Sequence, residues 1–409
     1  MSRESLQLVP AVCAALLISL CAAANANDWP NYRGPNHDGV STETGWTTQW
    51  PTDGPPVLWK ASVGIGFSSF AVGGGRAYTA GNADNTATIY CFDAETGSVL
   101  WKHSYPSDLG DHDFEGGTTS TPTLDGDRLY VLGKSGELFC FDAPSGKTIW
   151  QENIHADTRI RVPDWGFGGS PLVMGDLLIL NVGEAGVAVN KSTGKVVWKS
   201  ASEDAGYSTP VPMTAGGKSL VALTNKHAFL GVDAQTGKQV WKIKWPTQYG
   251  ANAADPIVDG DRVLISSGYG KGSALLQSAD AEPKTLWKKR VLRVHLNPAV
   301  RLGDYVYGLD GDFTDPSVSL KCIEFSSGKE KWSHPEFGPG SLIIADGKLI
   351  LLSEKGKLSI ASASPEGFKV TAQAQVLEGK CWTSPVLANG RIFCRNVAGD
   401  VVCLDVRGK

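Results

Sequence analysis

Residues 91–101 read CFDAETGSVLW and residues 140–150 read CFDAPSGKTIW, two copies of one pattern. In each copy a short apolar strand leads into an Asp-Ala turn, a glycine follows, and a second strand ends in tryptophan. The aspartate can accept hydrogen bonds from backbone N–H groups ahead of it. The glycine supplies the positive φ angle that lets the hairpin close. The pattern therefore predicts two antiparallel strands joined by a tight turn.

This pattern recurs along most of the chain. Further tryptophans at the same place in the pattern are Trp59, Trp198, Trp241, Trp287 and Trp332. Successive tryptophans lie 42 to 49 residues apart. A period of ~40–50 residues with four short strands per unit is typical of a β-propeller. Large indole surfaces at one repeated position predict packing between neighbouring blades, where each indole N–H can find an acceptor.

The number of blades follows from the glycine-containing turns after the inner strands. They are Gly75-Arg76, Gly126-Asp127, Gly175-Asp176, Gly216-Gly217, Gly260-Asp261, Gly303-Asp304, Gly347-Lys348 and Gly390-Arg391. The last unit, Trp382 to Val406, lacks a fourth strand, whereas Pro56 to Lys60 is a fourth strand without a unit before it. We predict an all-β, eight-bladed propeller of four-stranded antiparallel blades over residues 56–409, closed by pairing of the N- and C-terminal strands. The seventh unit has no tryptophan, and Phe368 is expected to replace it.

The first residues resemble an export signal. Arg3 precedes an apolar run from Leu6 to Ala24, and Ala24-Asn25-Ala26 fits a small-x-small cleavage site. We predict a signal peptide over residues 1–26, cleavage after Ala26, an N-terminal segment over residues 27–55, and a periplasmic or secreted protein. An uncleaved anchor is disfavoured because Pro10 interrupts a short run. A lipoprotein signal at Cys21 is disfavoured because the residue before it is a large leucine.

Bulk charge and hydropathy exclude some functions. The net charge is −4, which argues against binding to nucleic acid or to acidic membranes. After the first residues no stretch approaches ~18 consecutive apolar residues, so no transmembrane segment is expected in the mature chain.

The repeated Asp-x-x-Thr-Gly-Lys turn with its closing tryptophan resembles the repeat of the PQQ-repeat superfamily. This group includes quinoprotein alcohol dehydrogenases and the outer-membrane assembly lipoprotein BamB. The opening DWPNYRGP, residues 28–35, also resembles the first segment of quinoproteins and of secreted PQQ-repeat proteins. The resemblance extends over roughly residues 29–405 and implies the propeller fold.

The catalytic part of this resemblance is missing. Quinoprotein dehydrogenases carry two adjacent cysteines over the cofactor, and the sequence has no Cys-Cys pair and no Cys-x-x-Cys-His. Their calcium-binding and catalytic-base positions find no match here. PQQ and calcium are therefore cofactors that the superfamily implies but that the motifs of this chain do not support. Cofactor-free members that act as scaffolds or binders are the better analogy.

Six cysteines follow the predicted cleavage site. Cys91, Cys140, Cys322 and Cys403 share one place in the repeat, two residues before the acidic residue of the turn. We interpret them as small buried apolar residues in different blades. Cys394 and Cys403 lie on adjacent predicted strands, so a disulfide between them is an open alternative in an oxidising compartment.

The connections between blades are the most varied parts of the chain. Each runs from an outer strand to the next inner strand, so all of them should open on one face around the central channel, here called the funnel face. Residues in these connections that could contact a ligand are Trp165, Tyr207, His295, Asn297 and Trp382. Aromatic faces can stack on rings, and amide and imidazole groups add directional hydrogen bonds. The alternative is a funnel that holds only water.

A second candidate site is acidic. Asp310, Asp312 and Asp315 place three carboxylates within six residues, and hard oxygen ligands at such spacing suit calcium. The segment lacks the remaining ligands of an EF-hand loop, so an acidic turn is the alternative.

These observations favour an exported, non-catalytic binding or scaffold protein of the cell envelope, with a protein, glycan or small molecule on the funnel face. Two alternatives stay open. One is a divergent PQQ-dependent alcohol or sugar oxidoreductase, and the other is an outer-membrane assembly scaffold like BamB.

Overall fold

A computed structural model of the chain describes residues 27–202, 205–278, 282–315, 317–335 and 337–408. The predicted signal peptide, residues 1–26, lies outside these ranges. The described residues form eight antiparallel sheets arranged as the blades of a propeller, which confirms the predicted fold. No helix among them is long and apolar enough to cross a bilayer.

Two strands precede the first complete blade, β1 (Val40–Ser41) and β2 (Val57–Ser62). The first four blades then follow one another along the chain. Blade 1 contains β3 (Ala71–Gly73), β4 (Arg76–Ala83), β5 (Thr86–Asp93) and β6 (Val99–Pro106). Blade 2 contains β7 (Thr123–Asp125), β8 (Arg128–Leu132), β9 (Glu137–Asp142) and β10 (Thr148–Asn153), followed by the short helix α1 (Ile154–Thr158). Blade 3 contains β11 (Leu172–Met174), β12 (Leu177–Leu180), β13 (Val187–Asn190) and β14 (Val196–Lys199). Blade 4 contains β15 (Val211–Ala215), β16 (Lys218–Asn225), β17 (Ala228–Asp233) and β18 (Gln239–Lys244).

The last four blades repeat this order. Blade 5 contains β19 (Ile257–Asp259), β20 (Arg262–Ser267), β21 (Gly272–Gln277) and β22 (Lys284–Lys289). Blade 6 contains β23 (Val300–Leu302), β24 (Tyr305–Asp310), β25 (Ser319–Glu324) and β26 (Glu330–His334). Blade 7 contains β27 (Gly340–Ala345), β28 (Lys348–Ser353), β29 (Lys357–Ser362) and β30 (Val370–Gln375). Blade 8 contains β31 (Val386–Ala388), β32 (Arg391–Arg395) and β33 (Asp400–Asp405).

The ring closes as predicted. Strand β2 pairs antiparallel with β33 and completes blade 8, with Trp59 opposite Cys403. The buried Arg395 guanidinium strengthens the junction with blade 1, donating to the carbonyl oxygens of Ser68 at 2.9 Å and Ala80 at 2.7 Å. Strand β1 adds a parallel fifth strand to blade 7 beside β27, a pairing that the repeat pattern does not predict. The first and the last strands of the described residues are therefore held by backbone ladders.

The repeated tryptophans join neighbouring blades. The Trp59 indole N–H donates to the Ala94 carbonyl at 3.1 Å, and that of Trp101 donates to Ala143 at 2.9 Å. The same bond to the turn of the next blade is made by Trp150, Trp198, Trp287 and Trp332. Gly97 lies directly against this ring, since a β-carbon there would come within 2.5 Å of Trp59. The glycine thus serves both the left-handed turn and the close approach of the indole.

Trp241 departs from this pattern. It is 1 % exposed, yet its indole N–H has no hydrogen-bond partner among the described residues. The next blade lacks the Asp-x-x-Thr-Gly turn, since Ala281-Glu282-Pro283 stands in its place. This junction therefore depends on apolar packing.

Blade 7 corrects one expectation. Ala372, opposite Ile360, occupies the position that holds tryptophan in the other blades. Phe368 does not replace that tryptophan. Its ring lies 6.0 Å from the ring of Trp332 and so covers the tryptophan of the preceding blade.

The cysteines are structural. Cys91, Cys140, Cys322 and Cys403 each lie opposite a blade tryptophan, as expected for one repeated position. The disulfide considered for Cys394 and Cys403 is not formed, since both are free and buried. Cys394 pairs with Val402 and Cys403 with Phe393, so the two cysteines occupy successive registers of one ladder. Successive side chains of a strand point to opposite faces, which separates the two sulfurs.

Candidate functional site

A cavity of about 620 Å³ opens at one end of the channel, where the connections between blades meet. All five residues predicted from the sequence line it: Trp165, Tyr207, His295, Asn297 and Trp382. Three residues that the sequence analysis did not select, Tyr32, Tyr249 and Tyr269, line it as well. The propeller thus gathers side chains that are far apart in the sequence.

Aromatic rings form a belt around the mouth of this cavity. Seven rings follow one another with centroids 4.7 to 6.2 Å apart, and all of them except Phe313 line the cavity: Tyr249, Tyr269, His295, Phe313, Trp382, Phe67 and Phe114. Trp165 and Tyr207 form a separate pair with centroids 5.4 Å apart. Rings that pack against one another keep their orientation, so the cavity presents preformed apolar faces.

Hydrogen bonds fix the proton on His295. The backbone N–H of Phe313 donates to His295 Nδ1 at 2.9 Å, so the neutral ring carries its proton on Nε2. That Nε2 lies 2.8 Å from the Tyr269 hydroxyl oxygen and donates to it. Burial lowers the pKa of His295, which favours this neutral form. The Tyr269 hydroxyl therefore keeps its own proton free to donate elsewhere.

Tyr269 is held in an unusual backbone conformation. Its φ angle is 52°, in the left-handed region that few non-glycine residues adopt. The Asp312 carboxylate accepts its backbone N–H at 2.5 Å and holds the turn between β20 and β21. Strained residues of this kind are concentrated at functional sites.

Trp382 is positioned from several sides. Its indole N–H donates to Glu354 Oε1 at 2.8 Å, and its carbonyl accepts the Asn297 amide at 2.7 Å. The Asn297 amide also donates a hydrogen bond to the Gly340 carbonyl at 2.8 Å, so both of its amide hydrogens are used in contacts within the protein. The ammonium of Lys380 lies 4.4 Å above the Trp382 ring and pairs with Glu115.

The N-terminal segment contacts blade 1 and the start of blade 6 and contributes to the lining of the cavity. Trp29 pairs with Val72 of blade 1, and Arg33 donates to the Ala299 carbonyl, next to blade 6, at 3.1 Å. Between these two anchors, Tyr32 reaches the cavity and forms part of its floor.

A ladder of hydrogen bonds links blades 1 to 5 at the residues before the inner strands. Thr121 Oγ1 accepts the Ser69 N–H at 2.9 Å, and Ser170 Oγ accepts the Thr121 N–H at 2.9 Å. The ladder continues through Thr209 to Asp255, whose Oδ1 accepts the Thr209 N–H at 2.7 Å. The small polar residue before the inner strand thus links each of these five blades to the next.

Asp255 ends this ladder in an unusual state. It is 6 % exposed, lines the cavity floor, and its Oδ2 has no hydrogen-bond partner among the described residues. Burial raises the pKa of Asp255 to about 7, although the Arg33 charge and the Thr209 N–H act in the opposite direction. An unpaired buried acceptor is costly, so a positive charge placed in the cavity would stabilise the ionised form of this group.

The carboxylates of the acidic segment after β24 contact other protein groups. Asp310 is bound by Arg293 at 2.9 Å and by Lys321 at 3.1 Å, while Asp312 binds the backbone of Tyr269. Asp315 accepts the backbone N–H of Ser317 at 2.9 Å. Over the ranges that the structure describes, no three His, Cys, Asp or Glu side chains are grouped to hold a metal ion. The three carboxylates thus serve protein contacts.

The blades, their repeated tryptophans and the funnel cavity define a β-propeller of the PQQ-repeat class. The family model described as outer membrane protein assembly factor BamB matches residues 41–111 and 85–334. The chain belongs to this family. Among curated proteins, none matches the sequence significantly.

Solved structures agree on the fold. BamB from Moraxella catarrhalis superposes with a TM-score of 0.64 at 15% identity, covering 87% of this chain and 98% of that one. Quinohemoprotein alcohol dehydrogenase from Comamonas testosteroni gives a TM-score of 0.66 at 14% identity, over 94% and 81% of the two chains. A europium-containing methanol dehydrogenase gives 0.69 at 13% identity, over 90% and 89%. At such identities the likeness concerns the fold alone.

Proposed function

We propose that this protein is an exported propeller that binds a small organic ligand in the funnel cavity and does not transform it. The observation that carries the proposal is the aromatic-lined cavity of about 620 Å³. Ligand sites are typically concave, ~300–1,000 Å³ in volume and lined by apolar and aromatic groups with a few polar ones. The belt from Tyr249 to Phe114 and the pair of Trp165 and Tyr207 provide these apolar faces.

Export is supported by the first residues. The apolar run and the small-x-small site at residues 24–26 suit a cleaved signal peptide and a periplasmic or secreted location. The net charge of −4 gives no support to a nucleic-acid partner.

The cavity does not fit PQQ, the cofactor that the superfamily implies. PQQ is a planar polycarboxylate, and a site for it needs cationic or metal partners. Of the described residues that line the cavity, Lys380 is the only cation, and it is already paired with Glu115. Asp113 and Asp255 place further negative charge on the lining. No redox step is therefore assigned to this cavity.

A second candidate function is the envelope-assembly scaffold that the family description names. It is favoured by exposed apolar side chains at repeated places on the outer strands, of which Val57, Val99 and Val197 are 50 to 52% exposed. Such residues on edge strands could support contact with another protein. This function would use the outside of the ring, and co-purification of the protein with membranes would favour it.

The ligand-binding proposal is tested by calorimetry against a panel of glycans and metabolites. We expect at least one compound to bind the wild-type protein and to lose most of its affinity in Trp165→Ala and Trp382→Ala. Trp287→Ala, which changes a junction between blades, is the matched control and should leave the affinity of the folded protein unchanged. Binding that survives both cavity substitutions, or no binding by any panel member, would contradict the proposal.

A further inference from the structure

We propose that the ligand of the funnel cavity is an organic cation, whose charged nitrogen is held among the aromatic rings above Asp255. This inference rests on the proposed function of the cavity and names the class of ligand. Three features of the lining carry it: the aromatic faces, the unpaired buried carboxylate, and the sign of the charge around the mouth.

Aromatic faces attract cations because the ring quadrupole is negative above and below the ring. The cavity is surrounded by such rings, and one of them already holds a cation. The Lys380 ammonium lies 4.4 Å from the centroid of Trp382. Packing of Trp382 against Phe313, at 5.4 Å, and against Phe67, at 6.2 Å, keeps its ring oriented at the mouth. Trp165 and Tyr207 add a second pair of aromatic faces to the lining, and the nearby Arg161 is paired with Asp164.

Asp255 supplies the counter-charge at the floor. A carboxylate out of water is costly unless it is paired, and Asp255 Oδ2 has no partner among the residues described. Arg33 lies beneath the floor and favours the charged carboxylate, but its guanidinium donates to the carbonyls of Asp38 and Ala299. The Tyr32 phenol is the other titratable group that the N-terminal segment brings to Asp255. A cationic ligand would give this carboxylate the compensating charge that the protein leaves incomplete.

The charges around the mouth of the cavity also favour a cationic ligand over an anionic one. Asp113 and Asp255 line the cavity, whereas the one lining cation among the described residues, Lys380, is neutralised by Glu115. Behind the rings, Glu354 accepts the indole N–H of Trp382, and Asp312 accepts the backbone N–H of Tyr269. A low-dielectric pocket with carboxylates behind its walls raises the local concentration of cations and repels anions.

The test compares two ligands of the same shape that differ in charge. Choline and its neutral isostere 3,3-dimethyl-1-butanol are titrated into the full-length mature protein at pH 8, where Asp255 is ionised. We expect choline to bind about tenfold more tightly than the isostere, as a cation–π site with a nearby carboxylate would give. Equal affinities, or a preference for the neutral compound, would overturn the inference without the need for any variant.

Substitution then assigns the charge to one residue. Asp255→Asn keeps the shape of the side chain and should remove most of the tenfold preference for choline. Asp176→Asn, an exposed aspartate in the hairpin between β11 and β12, is the matched control and should leave the preference intact. Near pH 7, choline binding should release protons from Asp255, and titrations in buffers of different ionisation enthalpy measure this release. Proton release that persists in Asp255→Asn would contradict the assignment of the charge to Asp255.

These outcomes separate the two proposals. If a neutral compound from the panel binds and depends on Trp165, while choline shows no preference over its isostere, the cavity is a binding site but not one for cations. If choline is preferred and the preference depends on Asp255, both proposals stand.

Discussion

Trp59, near the beginning of the chain, lies opposite Cys403, near its end, in the ladder between β2 and β33. The same indole donates a hydrogen bond to Ala94 of blade 1 at 3.1 Å. One side chain therefore contributes to two junctions, the one that completes blade 8 and the one that joins blade 8 to blade 1.

Deletion of residues 27–62 should destabilise the whole ring. It removes β2 with Trp59, exposes the edge of β33 and opens the channel floor. We expect a single melting transition at a much lower temperature, or loss of the folded protein. Deletion of residues 27–41 alone keeps β2 and should lower the melting temperature less. An unchanged melting temperature for the longer deletion would contradict closure through β2.

The tryptophans between blades should differ from those at the cavity. Replacing Trp198 or Trp241 by alanine should cost about 3–5 kcal/mol of unfolding free energy, because a large buried side chain leaves a cavity. Trp101 and Trp150 are only half-buried, so their substitution should cost less within that range. Urea denaturation measures each value. Trp165→Ala should cost clearly less than Trp241→Ala, and equal losses would assign Trp165 to the core.

The stability of the protein should depend on the ionisation of Asp255. Burial raises the pKa of this carboxyl to about 7 in the folded protein, above the ~3.9 of an unfolded chain. The contribution of Asp255 is therefore fully favourable below the unfolded value and is lost as the pH rises through about 7. Asp255→Asn removes this dependence and keeps an oxygen for the Thr209 N–H.

Thermal melts of both proteins between pH 5 and pH 8 check this expectation. The melting temperature of Asp255→Asn should rise relative to the wild-type protein as the pH increases, by several degrees over the range. Asp176→Asn, an exposed substitution, is melted in parallel as the matched control. A difference between Asp255→Asn and wild type that shrinks with increasing pH would give the opposite sign and contradict the buried, raised pKa.

PQQ should not bind tightly. The sequence has no adjacent cysteine pair, and the lining offers its single described cation, Lys380, already paired with Glu115. Isothermal titration with PQQ and calcium should show no micromolar binding. A dissociation constant in the micromolar range or lower would revive the oxidoreductase hypothesis. A dye-linked alcohol or sugar oxidation assay would then test it.

The mature protein should begin at Asn27. The small residues at positions 24 and 26 suit cleavage after Ala26. Mass spectrometry of the exported protein measures its N-terminus directly. A chain that retains Met1 in the membrane fraction would contradict cleavage and favour an anchor.

Repetition made the fold predictable. The tryptophan period, the glycine turns and the unmatched strand at Pro56 to Lys60 predicted the number of blades and the closure, because each unit carries the same local chemistry. Where a unit departs from the repeat, prediction failed. Phe368 is close in sequence to the tryptophan position of the repeat, but the register of β30 places Ala372 at that position. The alternation of side chains along β32 and β33 likewise separates Cys394 from Cys403.

The cavity was predictable in part. Trp165, Tyr207, His295, Asn297 and Trp382 were found because connections between blades must open on one face. Tyr269 was missed because it lies in a hairpin between the second and third strands of a blade. In an up-and-down sheet those hairpins open at the same end as the connections between blades, so Gly268-Tyr269-Gly270 was the available signal.

The sequence by itself determined the architecture, since the spacing of Trp, Gly and Asp specifies strands, turns and blade contacts that are local or nearly so. Only the tertiary structure decided what the channel contains. Tyr32 reaches the cavity because the N-terminal segment crosses beneath it, and Asp255 faces the same space from the start of blade 5. Their proximity, the unpaired Oδ2 of Asp255 and the proton position on His295 depend on contacts between distant residues, and no local pattern encodes such contacts.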